Sequence, residues 1–197
     1  RFGVSGARSA LDAANPHQGI EGVGGKPVLR ALARKSPQNG FHFERTPLVV
    51  DRRLRGRLEA LFAGNASLLA YHLALDAHPT LGNNAQLASR IGATPHGPFG
   101  GVGLGCDLDD LSVETLVGRV EQAVERAPLV LPGGPETVRR LAVSTGAAGY
   151  DLAKAAHEGF DALLTGEAEE PSAATARELG ITLIAAGHHA TERLGVQ

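Results

Sequence analysis

The chain has 197 residues, of which 43% are hydrophobic, enough to bury the core of one compact α/β domain or of two small lobes. Its single cysteine, Cys106, excludes an intrachain disulfide and a cysteine-based zinc cluster, which fits a reducing, cytoplasmic setting. The net charge is only −2, but residues 1–57 carry 11 Lys+Arg against 4 Asp+Glu, so the remainder of the chain is acidic.

The sequence carries no sign of a membrane or secretory segment. It has no run of about 18 apolar residues, so we expect no membrane span, and no secretory signal pattern opens the chain. We interpret Cys106 as a small buried hydrophobic residue. The alternative is a catalytic thiol, but nothing nearby in the sequence marks an activating base.

Residues 1–53 form an atypical basic segment that is rich in Gly, Pro, Ser, Asn and Arg and has no steady apolar spacing. Within it we predict short helices at 9–14 and 26–33, the latter with Pro in its first turn, and short strands at 41–43 and 48–50. A basic arm could bind phosphate or nucleic acid. Because it lacks an aromatic stacking platform, we interpret it as a solvated segment and do not expect nucleic acid as a partner.

From residue 54 onward the apolar residues are regularly spaced, and we assign 54–197 to one α/β domain. Strands and helices are predicted to alternate, which is typical of an α/β fold. The predicted helices cover 54–62, 85–91, 113–124, 150–157 and 169–179. The predicted strands cover 67–72, 129–131, 138–144, 160–164 and 181–186. The glycine-rich loop at 94–105 is interpreted as a turn that joins strands.

One stretch with metal-ligand chemistry follows the last predicted strand, where Gly187 breaks the strand and His188-His189-Ala190-Thr191-Glu192 begins a helix. Residues four apart lie on one helical face, so His188 and Glu192 are predicted to point the same way. An imidazole and a carboxylate on one face make a pair of divalent-metal ligands. The alternative is a helix cap with a solvated carboxylate.

A second such stretch follows the strand predicted at 67–72. Asp76 is expected just past the end of that strand, where α/β proteins commonly place their catalytic groups. His72 lies four residues earlier and either lines the site as a proton donor or is a half-buried structural histidine. Asn83 and Asn84, which follow, are expected to cap a helix or to hold Asp76 in place.

Taken together, the segments LDAHPTLGNNAQLA and AAGHHATERLGVQ resemble the NIF-three-like family, also called the GTP cyclohydrolase 1 type 2 homologues. The resemblance covers about residues 58–197. It implies two similar α/β lobes with mixed sheets flanked by helices and a two-metal cleft between them. It also implies that Asp76, His188 and Glu192 match three of the usual five protein ligands, and that Glu167 is the acid of the family's Thr-Gly-Glu turn.

The chain departs from the family pattern in its first half. The other two family ligands are adjacent histidines upstream of the Asp block, and this sequence has no His-His before residue 188. Either the protein is a divergent member with an altered site, or residues 1 to about 50 are a misread or rearranged segment. The family continues past Gln197 with a longer helix and a closing strand, so the resemblance implies a clipped C terminus.

The resemblance implies a hydrolase-like protein in which one or two divalent ions (Zn, Mn, Fe, Ni or Mg) activate water against a nucleotide or phosphate-containing substrate. The catalytic residues are predicted to be His72 and Glu167, with His189 a further proton carrier; Glu167 is otherwise a turn residue. The alternative is a non-catalytic, metal-binding oligomeric scaffold, which the absent His-His pair favours. Family members form ring-like oligomers, so we expect a homo-oligomer, by resemblance a ring-like hexamer, with an unidentified small-molecule substrate.

Overall fold

The computed structural model describes residues 20–21, 27–28, 50–68 and 72–197. The chain divides into two units, Arg1–Leu69 and Ala70–Gln197. The domain boundary predicted between residues 53 and 54 stays a prediction.

The described residues of the first unit include one short strand pair. Ile20–Glu21 (β1) pairs antiparallel with Pro27–Val28 (β2). Strand β2 occupies two residues of the helix predicted at 26–33, so that prediction is wrong at these positions. The elements predicted at 9–14, at 41–43 and at 48–49 lie outside the described residues, and Val50 belongs to no strand.

The first unit also contains helix α1, Arg52–Ala63, which confirms the helix predicted at 54–62. Its first turn is capped by Asp51, whose side chain accepts a hydrogen bond of 2.7 Å from the Leu54 N–H. The helix stops at Gly64, whose N–H donates to the Ala60 carbonyl.

The second unit is built on a six-stranded mixed sheet with the strand order β3-β4-β6-β7-β8-β5. Strands β6, β7 and β8 run parallel to one another, and the other neighbours are antiparallel. The strands are Thr94–Phe99 (β3), Gly103–Ser112 (β4), Leu129–Leu131 (β5), Thr137–Ser144 (β6), Ala162–Thr165 (β7) and Thr182–Ala185 (β8).

Helices cover this sheet, as the fold class predicted. They are His72–Asp76 (α2), Asn83–Ile91 (α3), Val113–Val124 (α4), Leu152–His157 (α5), Ser172–Leu179 (α6) and His188–Glu192 (α7), with a 3₁₀ turn at Gly149–Asp151. The resemblance also implied a second lobe and a cleft between lobes. Most of residues 1–49 lie outside the described residues, and the second lobe and the cleft stay predictions.

Alternation along the strands places apolar side chains on both faces of the sheet, because successive residues of a strand point to opposite faces. In β6, Leu141 and Val143 pack in one buried cluster with α3 and α4, whereas Ala142 packs in the other with α5 and α6. Leu163 and Leu164 divide in the same way in β7. The sheet therefore has two cores, and its strand ends remain available for a site.

Two further predicted elements differ from the structure. The strand at 67–72 is wrong, since residues 67–68 are in no strand and His72 begins helix α2, whereas 69–71 lie outside the described residues. A short apolar run does not distinguish a strand from a short helix. The segment 94–105 does contain a turn that joins strands, but the turn is confined to residues 100–102, and the rest belongs to the hairpin β3–β4. Its strand β3 lies at the edge of the sheet, where prolines such as Pro95 and Pro98 are tolerated.

Cys106 is fully buried in strand β4, which confirms its interpretation as a small hydrophobic residue. Burial raises the pKa of its thiol to about 12, and a thiol that stays protonated is a poor nucleophile. We therefore expect a disulfide reagent at pH 8 to label the native protein hardly at all and the guanidinium-unfolded protein at one thiol per chain. Rapid stoichiometric labelling of the native protein would contradict this assignment.

No helix within the described ranges is both long and apolar enough to cross a membrane.

Candidate functional site

Three glycines follow the carboxyl ends of the parallel strands β6, β7 and β8. The Gly166 N–H donates to the Gly146 carbonyl at 2.8 Å, and the Gly187 N–H donates to the Gly166 carbonyl at 2.8 Å. A Cβ on Gly166 would lie 2.6 Å from the Gly146 oxygen and 2.7 Å from the His188 Cα, so a side chain does not fit there. The glycines thus allow the segments that carry Glu167 and His188 to lie side by side.

Helix α7 begins directly after Gly187 and places His188 and Glu192 on one face, as the four-residue spacing predicted. The His188 Nε2 lies 3.1 Å from a Glu192 carboxylate oxygen. Buried Thr191 fixes this helix, because its hydroxyl accepts from the Gly146 N–H at 3.1 Å and donates to the carbonyls of Gly187 and His188 at 3.0 Å. Thr191 has no predicted role, because nothing in the sequence shows that it contacts a turn 45 residues away.

Helix α2 places His72 and Asp76 four residues apart on one face. Asp76 is only 5% exposed, and the Asn83 side-chain amide donates to its Oδ1 at 2.7 Å. The Asn84 amide donates to the Asp76 backbone carbonyl at 3.1 Å and to the Val102 carbonyl at 2.9 Å. The two asparagines therefore support Asp76, which confirms one of the two predicted roles. The other role, a helix cap, is wrong, because α3 already includes Asn83 and its N-cap Gly82 receives no side-chain hydrogen bond.

His72, Asp76 and Glu192 converge from α2 and α7. Each offers one ligand atom, and these three atoms lie within 4.8 Å of one another. The His72 Nε2 is 3.9 Å from Glu192 Oε1. An imidazole nitrogen with two carboxylate oxygens is a donor set that suits zinc, manganese, iron and nickel, so the described residues fit a divalent ion at this point.

This group contains two of the three predicted metal ligands, Asp76 and Glu192. Its third member is His72, to which the sequence analysis gave a catalytic role. The spacing of His72 and Asp76 equals that of His188 and Glu192, and this was the available signal for a ligand role. The predicted strand at 67–72 hides this signal, because residues four apart are neighbours on one face of a helix but not along a strand.

His188, the remaining predicted ligand, adjoins the group through Glu192. Its Nδ1 lies 2.7 Å from Glu167 Oε1. This hydrogen bond, together with the nearby charge of Glu192, raises the pKa of the His188 imidazole above its ordinary value. All five predicted site residues thus form one connected set, whereas His189 is exposed on α7 and makes none of these contacts.

A family model described as Duf34/NIF3 (NGG1p interacting factor 3) matches residues 17–197. The chain belongs to the Duf34/NIF3 family. This confirms the resemblance recognised from the two motifs. The resemblance began at about residue 58, whereas the family match begins at residue 17. The match therefore includes part of the basic segment of this Duf34/NIF3 chain.

Curated relatives named GTP cyclohydrolase 1 type 2 homolog support the same assignment. One from Pseudomonas aeruginosa is 44% identical over 157 residues, which cover 77% of this chain and 62% of the relative. Another from Yersinia pestis is 35% identical over 205 residues, which cover 99% of this chain and 74% of the relative. The Duf34/NIF3 chain thus spans less than two thirds of the Pseudomonas relative.

Solved structures share the mixed α/β fold. Protein ybgI, described as of unknown function, is 40% identical with a TM-score of 0.72, and the match covers 80% of this chain and 64% of ybgI. Protein TTHA1606 from Thermus thermophilus is 31% identical with a TM-score of 0.70, covering 79% of this chain and 63% of that protein. The sheet and its flanking helices are therefore those of other Duf34/NIF3 proteins.

Proposed function

We propose that this protein binds one or two divalent metal ions at His72, Asp76, Glu192 and the adjoining His188, and uses them as a hydrolase. The observation that carries the proposal is the approach of one imidazole and two carboxylates to within 4.8 Å of one another. Like charges brought together in this way repel, and a cation between them offsets that repulsion. A bound divalent ion supplies Lewis acidity and lowers the pKa of water.

The surrounding residues orient the ligands. In the tautomer with its proton on Nδ1, His188 donates to Glu167 and leaves the Nε2 lone pair for a metal. Because a proton on Nε2 competes with the metal, the raised pKa of His188 makes metal affinity fall with decreasing pH. Glu167 is therefore proposed to orient His188 in addition to its predicted role as an acid or base.

His72 has two proposed roles that one variant separates. Its side chain is 57% exposed, so it can exchange protons with solvent, yet its Nε2 belongs to the ligand group. If His72 is a ligand, we expect His72→Ala to lose metal. If it transfers protons only, we expect His72→Ala to keep metal and lose turnover. Metal content and turnover of the same preparation decide between the two roles.

The substrate is proposed to be a nucleotide or another phosphate-containing molecule. Support comes from the Pseudomonas and Yersinia relatives, which are named GTP cyclohydrolase 1 type 2 homologs. Their name is an analogy for this chain, since one fold hosts many activities. The protein is also proposed to form a homo-oligomer, for which family membership is the support.

Metal content by mass spectrometry, measured on protein equilibrated with zinc or manganese and then desalted, tests the proposal. We expect one or two ions per chain in the wild type and a marked loss in His188→Ala. His157→Ala is the matched control, since His157 is an exposed histidine at the end of α5, outside the ligand group. A folded wild-type protein that binds no ion would contradict the proposal.

Turnover separates the enzyme from the non-catalytic alternative. The metal-loaded protein should release product from GTP or from a general phosphate ester, and a chelator should stop the release. Tight, stoichiometric metal binding without turnover of either substrate would favour a metal-binding scaffold. The specific observation behind that second candidate is the absence of a His-His pair before residue 188.

A further inference from the structure

Asn83 contacts the Asp76 carboxylate and is itself held from the other side. It is 3% exposed and lies at the start of α3. Its side-chain oxygen accepts a hydrogen bond of 2.7 Å from the Gly195 N–H, and its side-chain nitrogen donates to Asp76 Oδ1 at 2.7 Å. A backbone N–H can only donate, so the Gly195 contact determines which end of the amide faces Asp76.

The position of Gly195 depends on its lack of a side chain. A Cβ there would lie 2.7 Å from the Leu81 carbonyl oxygen and 3.0 Å from the Asn83 side-chain oxygen. Only glycine lets the backbone after α7 approach this closely. Gly195, which follows helix α7 and its residue Glu192, thus fixes the Asn83 amide that faces Asp76 of α2.

The fixed Asn83 amide determines which oxygen of the Asp76 carboxylate accepts a hydrogen bond. Within the described part of the chain, its side-chain hydrogen bond comes from Asn83 and uses Oδ1. We propose that Asn83 is a positioning residue that occupies Oδ1 and presents Oδ2 of Asp76 to the metal as a single-oxygen ligand. This inference rests on the proposed metal-binding function and adds to it the orientation of one ligand.

Asn84 provides the matching support on the backbone. It is fully buried, and its side-chain oxygen accepts a hydrogen bond of 2.8 Å from the Thr145 N–H while its nitrogen donates to the Asp76 carbonyl. Gly146, the next residue after Thr145, donates to Thr191. The backbone of Asp76 is therefore tied to the turn that holds α7, which leaves the orientation of its carboxylate to Asn83.

Zinc affinity and the visible spectrum of the cobalt-substituted protein test the inference. Asn83→Leu removes both hydrogen bonds while keeping the branching of the side chain, and Asn83→Asp keeps the acceptor for Gly195 but replaces the donor to Asp76 with a repelling oxygen. We expect zinc affinity to fall about 10- to 100-fold in Asn83→Leu, as is typical for residues that orient a ligand. We expect an altered cobalt spectrum in both variants, because a carboxylate released from Asn83 changes its coordination.

Gln86→Leu is the matched control, because Gln86 lies on the same helix and its amide donates to the Thr80 carbonyl at 2.6 Å, away from Asp76. It should keep the wild-type zinc affinity and cobalt spectrum. If Asn83→Leu does not fold, Asn83→Asp still carries the test. Wild-type affinity and spectrum in a folded Asn83→Asp protein would overturn the inference, whereas a wild type that binds neither ion would overturn the proposed function itself.

Discussion

Replacing Asp76 with Asn is expected to abolish tight metal binding while leaving the folded apoprotein at least as stable as the wild type. The two effects have one cause, which is the negative charge of a side chain that is only 5% exposed. Without a cation, that buried charge costs free energy. When a cation is bound, Asp76 is a direct ligand. Removing a residue that only orients a ligand lowers metal affinity by up to roughly 100-fold, so we expect Asp76→Asn to lower it by more than that.

Asparagine retains the shape of Asp76 and an oxygen that can accept from the Asn83 amide, so the hydrogen bond of the wild type need not be lost. We expect the free energy of unfolding of the chelator-treated protein to be unchanged or to rise by about 1 kcal/mol. Denaturant unfolding with excess chelator measures stability, and zinc titration against a competing chelator measures affinity.

Asp109→Asn makes the same change of charge at an exposed position of β4 and should alter neither quantity. If Asp76→Asn lowers the stability of the apoprotein by several kcal/mol, Asp76 has a structural role and the affinity loss has no bearing on ligation. If affinity is retained with normal stability, Asp76 is not a ligand.

The fold of residues 72–197 was largely predictable from local pattern. Helix α4 combines a Ser112 cap with an apolar stripe through Val124, and strand β6 alternates across two cores. Each element can therefore be identified from its own segment of sequence. The failures occurred where local pattern is ambiguous. The β3–β4 hairpin contains glycines and prolines that suggest a loop, and only its place at the sheet edge makes Pro95 and Pro98 acceptable.

The candidate site was predictable in its residues and less so in its geometry. Spacing alone placed His188 beside Glu192, because the four-residue repeat of a helix is a local property. The approach of α2 to α7 is not local, and it depends on Asn84 and Thr191 reaching the same turn after β6. The sequence therefore identifies His72 as a site residue, but its place in the ligand group depends both on helix α2, which replaces the predicted strand, and on this non-local approach.

Replacing Gly146 with Ala is expected to damage the site more than it damages the fold. Gly146 has a φ of 75°, which costs an L-residue about 1–2 kcal/mol. Its Cβ would also collide with the Glu192 carboxylate and lie 3.4 Å from the His188 Nε2. The Glu192 carboxylate must therefore leave the position in which it adjoins His72 and His188, and we expect zinc affinity to fall at least about 10-fold.

Gly180→Ala separates strain from collision. Gly180 ends α6 with a φ of 66°, similar to that of Gly146, but a Cβ there is 3.9 Å from the Gly133 oxygen, which is an ordinary contact. Both variants should lose about 1–2 kcal/mol in denaturant unfolding of the apoprotein, and only Gly146→Ala should lose zinc affinity. Equal affinities in the two folded variants would mean that Glu192 does not hold the metal from the position it occupies beside Gly146.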